Sequence, residues 1–222
     1  MTSEVCRAAA DAPACPVCLA RATRPFATVQ RRDYWRCAVC RATFLEPAQR
    51  PDAAAEAAYY RLHDNDPLDP RYRRFLARLA EPLLARLPAA AAGLDYGCGP
   101  GPALAAMLRE AGHAVALYDP FFHPDFTALA RRYDFITCTE VVEHFHAPAH
   151  EFARLAALLE PGGWLAIMTC FQTDDARFAG WNYRRDPTHV VFYRRETFAH
   201  LAGVLGWECE VPQKDVVLLR KP

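Results

Sequence analysis

Nowhere do the 222 residues hold an uninterrupted apolar run of the roughly 18–20 residues that a bilayer requires, so no membrane partner is expected. Met1–Ala14 has no basic stretch followed by an apolar core; it reads as a loose, Ala-rich tail, and the chain is expected in the cytoplasm. Net charge is also missing, because 26 basic side chains balance 26 acidic ones. That balance argues against a general attraction to nucleic acid but leaves room for a local basic patch. Lysine is scarce: Lys214 and Lys221 are the only two, so nearly every cation is a guanidinium.

A hydrophobic fraction of 52% against 23% charged residues is ordinary for a globular protein, and the length suits one sizeable core plus a small appendage. Nine cysteines, an odd number beside so large a core, fit a disulfide framework poorly. Four of them form two knuckles, Cys15-Pro-Val-Cys18 and Cys37-Ala-Val-Cys40, separated by eighteen residues. Two C-x2-C knuckles at this spacing predict a zinc ribbon, with Cys15, Cys18, Cys37 and Cys40 completing a tetrahedron around a structural Zn²⁺. Four thiolates leave no open position for a substrate. Short strands are expected between the knuckles at Phe26–Gln30 and Asp33–Arg36. From Cys15 to Arg50 seven arginines face only Asp33 and Glu46, so the ribbon is a candidate RNA-binding surface, with a plain solvated face as the alternative.

The chain divides into a tail (1–14), the ribbon (15–50), a helical linker or cap (51–92) and an α/β domain (93–222). Helices are expected at Ala53–Leu62 and, with apolar residues at helical period, at Tyr72–Leu87, where Pro82 predicts a kink. His63-Asp64-Asn65-Asp66-Pro67 breaks the two apart, and their position suits a cover over a ligand mouth. Thereafter strand and helix alternate, which predicts a parallel sheet with helices on both faces. Strands are placed at Gly93–Tyr96, Ala114–Tyr118, Phe135–Thr139, Trp164–Thr169, Trp207–Val211 and Val216–Leu219, and helices at Pro102–Ala111, Ala149–Leu159 and Arg195–Leu205. Leu94-Asp95-Tyr96-Gly97-Cys98-Gly99-Pro100-Gly101 turns sharply from strand to helix, where glycine permits a ligand to approach the main chain and the helix start favours an anion.

Four motifs in order resemble the class I S-adenosylmethionine-dependent methyltransferases: that octet, Leu117-Tyr118-Asp119-Pro120, Tyr133-Asp134-Phe135-Ile136-Thr137-Cys138-Thr139-Glu140-Val141-Val142-Glu143-His144, and Leu159-Glu160-Pro161-Gly162-Gly163-Trp164. The resemblance implies a Rossmann-like sheet and S-adenosylmethionine as cofactor. It implies that Gly97, Gly99 and Gly101 pass under the methionine part, that Asp95 lies near its ammonium and that Asp119 takes the ribose hydroxyls, with Cys98, Pro120, Phe121, Thr139 and Glu140 as further cofactor-binding candidates. The stretch from Pro120 to Arg132 is too short for the family's helix, third strand and second helix. The third strand is therefore expected to be missing, the second strand becomes an edge that the ribbon or early helices should cover, and Phe121 and Phe122 are candidates to pack the adenine.

The family transfers a methyl group, and the chain lacks the Asn/Asp-Pro-Pro-Tyr/Phe signature after the fourth strand, which points away from exocyclic amines and toward oxygen. Glu140, Glu143, His144 and His189 resemble the metal site of small-RNA 3′-terminal 2′-O-methyltransferases and the related stretch of ubiquinone-pathway O-methyltransferases. Two readings stand side by side: a second divalent ion that polarises the acceptor, or His144 or His189 as general base. The long segment Phe171–Tyr193 supplies the acceptor candidates, with Trp181, Tyr183 and Tyr193 to stack on a planar group and Arg184 and Arg185 to bind an anion. The expected function is O-methylation of an unidentified acceptor. The alternatives are an RNA methyltransferase that grips its substrate with the ribbon, and a protein that binds S-adenosylmethionine only to regulate a partner.

Overall fold

The computed structural model describes residues 12–62 and 66–222; most of the tail, Cys6 and His63-Asp64-Asn65 lie outside them. Strands β1 (Thr23–Val29), β2 (Arg32–Cys37) and β3 (Thr43–Leu45) form the antiparallel ribbon, somewhat longer than the knuckle spacing suggests. Helix α1 (Ala53–Tyr60) is capped by Asp52, whose carboxylate accepts from the Ala55 N–H at 2.8 Å. Helix α2 (Pro70–Leu84) starts on the Asp69 cap with Pro70 in its first turn, buries Leu76, Leu79, Ala80 and Leu83, and holds Pro82 two residues from its end.

The main sheet is built from β4 (Ala92–Tyr96), β5 (Ala114–Tyr118), β6 (Tyr133–Thr139), β7 (Leu159–Met168), β9 (Glu208–Gln213) and β10 (Val216–Arg220), in the order β5-β4-β6-β7-β10-β9. Helices α3 (Ala103–Glu110), α4 (Pro148–Leu158) and α6 (Arg195–Leu205) pack on it, and α6 stops at Gly206 in the left-handed conformation, φ 70°. The first four strands are parallel, but β10 runs antiparallel to both β7 and β9. This corrects the all-parallel expectation: only Lys214 and Asp215 separate β9 from β10, which permits a hairpin and forbids a crossover.

After β5 the chain makes a tight return, with Asp119 and His123 exchanging both backbone hydrogen bonds at 3.0 Å, and then a 3-10 turn at Phe126–Ala130. No strand follows β5 on its outer side among the described residues, as the shortened segment predicts. The expected cover is different. The Phe126–Ala130 turn and α3 pack against β5, while α2 lies on α3, β7 and β10.

The ribbon instead docks beside the acceptor segment. Residues 171–193 contain a 3-10 turn at Phe178–Gly180, one helical turn α5 (Asn182–Arg185) and strand β8 (Val191–Phe192). Strand β8 pairs with β3 and becomes the fourth strand of the ribbon sheet. One apolar core runs from Cys15, Tyr34, Trp35 and Phe44 of the ribbon through Phe178, Phe192 and Tyr193 to Ile136 and Leu165 of the main sheet. A second core on the opposite face joins α2 and α3 to Phe135, Trp164 and Leu218.

Candidate active site

The carboxyl ends of β4, β5, β6 and β7 lie along one edge of the sheet, and the site begins at the turn after β4. Gly97 and Gly99 have φ of 78° and 64°, and the N–H of Gly97 donates to the Tyr118 carbonyl at 2.7 Å. A side chain at Gly97 is excluded twice, by its left-handed backbone and by Val141, whose Cγ2 stands 2.5 Å from the place of a Cβ. Asp95 lies below the turn, nearly fully buried, and accepts from Thr137 Oγ1 at 2.8 Å. Burial raises its carboxyl to about 6, the Thr137 bond opposing. Cys98 is buried beside it, its thiol pushed well up by burial and by the charges of Asp95 and Asp119.

Asp119 is a clamp. One oxygen accepts from the Gly99 N–H at 3.0 Å, and the other from the N–H groups of Phe121 and Phe122 at 2.8 and 3.0 Å. It thereby ties the glycine turn to the Pro120–Phe122 corner, where the Phe121 ring is 38% exposed and meets Tyr60 of α1 at 5.3 Å. At the end of β6 the Thr139 hydroxyl is buried with no hydrogen-bond partner among the described residues. Glu140 follows with φ 53°, its carboxyl raised to about 7 by burial, with Asp215 adding to the shift.

Glu143, His144 and His189 come together. Both His144 Nε2 and His189 Nε2 stand 4.0 Å from Glu143 Oε1, and the two rings are 4.7 Å apart. One donor atom from each of the three lies within 4.8 Å of the others, a spacing that a single divalent ion can bridge; Glu140 is outside that set. His144 Nδ1 donates to the Thr188 carbonyl at 3.1 Å and His189 Nδ1 to the Tyr183 carbonyl at 2.7 Å. A carbonyl can only accept, so both rings carry their proton on Nδ1 and turn Nε2 toward the carboxyl.

Glu143 is fully buried, and that burial followed by the charge of Glu140 holds its carboxyl well above the usual range. Thr169 Oγ1 donates to it at 2.9 Å, and the Tyr183 hydroxyl donates to its other oxygen. Asp186 faces the same nitrogen of His189, its Oδ2 3.8 Å from Nε2. Burial works against its ionisation, but the neighbouring His189 and the Thr188 hydrogen bonds outweigh it and hold Asp186 below the ordinary range. The Tyr60 ring meets His144 edge-on at 5.3 Å, so α1 overlies both the Phe121 corner and the histidine pair.

The acceptor candidates divide. Tyr183 packs at a tilt against His189 at 4.2 Å and Trp181 at 5.2 Å, inside the site. Tyr193 does not face it: the ring is fully buried on Phe198, and its hydroxyl donates to the Val142 carbonyl at 2.9 Å. That corrects the stacking role expected of Tyr193, because no face of the ring is left open. Arg184 turns toward the ribbon, buried beside Tyr34, while Arg185 is exposed. Thr169, Asp186, Tyr60 and the carbonyls of Tyr183 and Thr188 belong to the site without a sequence signal, since each acts through its position in the fold.

The four ribbon cysteines form a second cluster, with Cys15 and Cys40 sulfurs 3.6 Å apart and Cys18 and Cys37 also 3.6 Å apart. Zn–S bonds of about 2.3 Å in a tetrahedron put sulfurs about 3.8 Å apart, so the donor set fits zinc. None of the four is paired in a disulfide.

A family model described as Methyltransferase domain matches residues 68–210. The ubiquinone biosynthesis O-methyltransferase of Serratia proteamaculans (strain 568) is 35% identical over 135 residues, 60% of this chain and 56% of that protein. Its counterpart in Sodalis glossinidius (strain morsitans) is 30% identical over 139 residues, 60% of this chain and 54% of that protein. The chain thus spans about half the length of the curated relatives it matches. Among solved structures, the 1,6-didemethyltoxoflavin-N1-methyltransferase of Burkholderia thailandensis, with bound 1,6-didemethyltoxoflavin and S-adenosylhomocysteine, matches at TM-score 0.52 and 20% identity, covering 89% of this chain and 99% of that one. The magnesium protoporphyrin IX methyltransferase of Synechocystis PCC 6803, with bound S-adenosylhomocysteine, matches at TM-score 0.51 and 14% identity, covering 77% and 95%. At these identities the likeness is one of fold. Among the described residues no helix is long and apolar enough to cross a membrane.

Proposed function

Because the chain belongs to the methyltransferase-domain family, as an S-adenosylmethionine-dependent enzyme, we propose that it moves the methyl group of S-adenosylmethionine to a hydroxyl oxygen of a small acceptor. The convergence of Glu143, His144 and His189 at the open end of the sheet carries this reading. The methyl donor fits the residues above β4: the glycine turn leaves its backbone accessible, the Thr139 hydroxyl has no partner among the described residues, and Phe121 offers an apolar ring. Asp95 and Asp119 are the candidates for its ammonium and ribose. Asp119 already accepts three backbone N–H bonds, so it offers the ribose one remaining acceptor position rather than a whole carboxylate.

Methyl transfer from a sulfonium is an in-line displacement, in which the acceptor oxygen attacks carbon as the C–S bond breaks. An acceptor hydroxyl placed beside the histidine pair gives its proton to a neutral Nε2, while Asp186 stabilises the imidazolium formed at His189. The Tyr183 and Thr188 carbonyls fix both rings in the tautomer that can accept this proton. Trp181 and Tyr183 form the wall beside which the acceptor ring packs.

A second reading is favoured by the same three atoms: Glu143, His144 and His189 would hold a divalent ion, which when bound lowers the pKa of the acceptor hydroxyl. The ribbon cysteines would hold structural zinc, supplying a small module with stability that its own apolar area cannot. The test is transfer of labelled methyl from S-adenosylmethionine into a fractionated cell extract, with zinc-replete enzyme treated with a mild chelator and then given Mg²⁺ or Mn²⁺. Label in a small molecule at an ether or ester oxygen supports the proposal, and label in RNA or protein alone rejects it. Full activity without added ion removes the second reading and leaves the histidines as base.

A further inference from the structure

Arg32 opens β2 and Arg184 and Arg185 close α5, and the three meet in a cleft of about 380 Å³ between the ribbon hairpin and the acceptor segment. Gln30, Gln49 and two prolines complete its lining, and no carboxylate takes part. Among the described residues none of the three arginines has a carboxylate oxygen within 4.0 Å, whereas Arg36, Arg73, Arg86 and Arg194 all do. Arg32 donates to the Pro187 carbonyl at 2.8 Å, which fixes its guanidinium at the mouth of the cleft. Arg184 is 1% exposed and donates to the Ala179 carbonyl at 3.0 Å and to Gln30 Oε1 and Tyr34 Oη at 3.4 Å, while its Nε has no partner among the described residues.

A buried guanidinium without an anion is costly, and two more cations beside it raise that cost. The arrangement is relieved by a ligand with several anionic oxygens. The planar forks of arginine pair with phosphate in a bidentate manner, which suits phosphate better than a single carboxylate. The hairpin turn adds to the picture: Gln30 and Arg31, at φ 54° and 62°, hold left-handed positions that such turns normally give to Asn and Gly. The strained turn puts Gln30 in reach of Arg184.

We infer that this cleft binds a phosphate or diphosphate group of the methyl acceptor. The inference rests on the reading of residues 171–193 as the acceptor wall and names the class of substrate. Tyr183 reaches Glu143 from the same helical turn that sends Arg184 to the ribbon, so this turn links the cleft to the site of the reacting hydroxyl. The cleft is of the size that holds a small ligand, so the acceptor is taken as a phosphorylated small molecule, and a nucleic acid is the outcome that the test below would reveal.

Calorimetry of the zinc-replete full chain with inorganic pyrophosphate tests this. One molecule is expected to bind per chain, with affinity falling at least tenfold in Arg185→Ala and further in Arg32→Ala/Arg185→Ala. Arg185→Lys should restore only part of it, since an ammonium lacks the fork. Arg185→Ala alters an exposed side chain, so the test stands even where Arg32→Ala disturbs the hairpin. Absence of pyrophosphate binding, or equal binding by the Arg185→Ala variant, overturns the site. Displacement of pyrophosphate by a single-stranded RNA oligonucleotide of higher affinity overturns the small-molecule acceptor. S-adenosylhomocysteine binding, measured in parallel, is expected to be unchanged in every variant; its absence from the wild type strikes the methyl-donor reading and not the anion site.

Discussion

Arg36, buried on ribbon strand β2, reaches Asp175 Oδ1 at 2.7 Å across 139 positions of sequence. The same carboxylate also takes Arg194, which opens α6, and Arg36 Nε donates to Thr43 Oγ1 at 2.7 Å. Thr43 in turn donates to Gln172 at 2.6 Å. The ribbon is thereby stitched to the segment that carries Tyr183 and His189, through buried polar contacts as well as the β3–β8 pairing.

If the ribbon holds zinc as proposed, its loss should be felt beyond the ribbon. Cys37→Ser is expected to abolish zinc binding and, because β3 no longer offers β8 an ordered partner, to expose residues 171–193 to protease. Metal analysis and limited proteolysis check both parts. Proteolysis confined to residues 15–50 would mean that the acceptor segment stands without the ribbon.

His189 touches the reaction in both readings of the site. His189→Gln is expected to lower turnover by about 10²- to 10⁴-fold, the usual scale for a lost proton acceptor, while S-adenosylhomocysteine affinity stays within about twofold. Asp186→Asn should reduce turnover less and shift the acidic limb of the pH–rate profile downward, because removing an anion 3.8 Å from Nε2 makes the imidazole less basic. An unchanged acidic limb would mean that His189 does not titrate in that profile.

Asp95 sets a pH dependence of stability. Its carboxyl is raised from 3.8 to about 6 by burial, so between these values the folded protein holds a proton that the unfolded chain has released. Stability therefore falls as pH rises from 4 to 6 and remains lower above, by an amount of up to about 3 kcal/mol. Asp95→Asn is expected to flatten this slope and raise Tm at pH 7.5, while reducing the thermal shift that S-adenosylmethionine produces. Denaturant titrations of both proteins at pH 4.5 and 7.5 measure the difference.

Much of this fold is legible in the residues. The β5 and α6 spans and the C-x2-C pair follow from local pattern alone, and the missing strand after β5 follows from chain length, since thirteen residues from Pro120 to Arg132 cannot make a crossover. The antiparallel β10 and the use of β8 by the ribbon are harder to read. Each is a choice of partner for a short apolar run, and such a run is equally apolar beside several neighbours. Tyr193 shows the same limit: an aromatic in an acceptor segment reads as a platform until burial on Phe198 is seen. Glu143, His144 and His189 stand out by residue type, but the carbonyls that set their tautomers carry no side-chain signal.

Gly97 gives the sharpest test of the turn itself. Gly97→Ala brings a methyl to 2.5 Å from Val141 Cγ2 and forces a left-handed alanine at φ 78°. The two penalties are separable, because Val141→Ala removes the clash and leaves the backbone strain of about 1–2 kcal/mol. Gly97→Ala alone is expected to lose measurable S-adenosylhomocysteine binding and several degrees of Tm, and Gly97→Ala/Val141→Ala to recover most of the Tm. If the donor rests directly on this glycine, the double variant stays impaired in binding, since the new methyl then occupies the place of the methionine. If Val141 is the only group that needs the space, the double variant binds as the single Val141→Ala variant does. Calorimetry on the three variants separates a glycine required by the ligand from one required by the loop after β6.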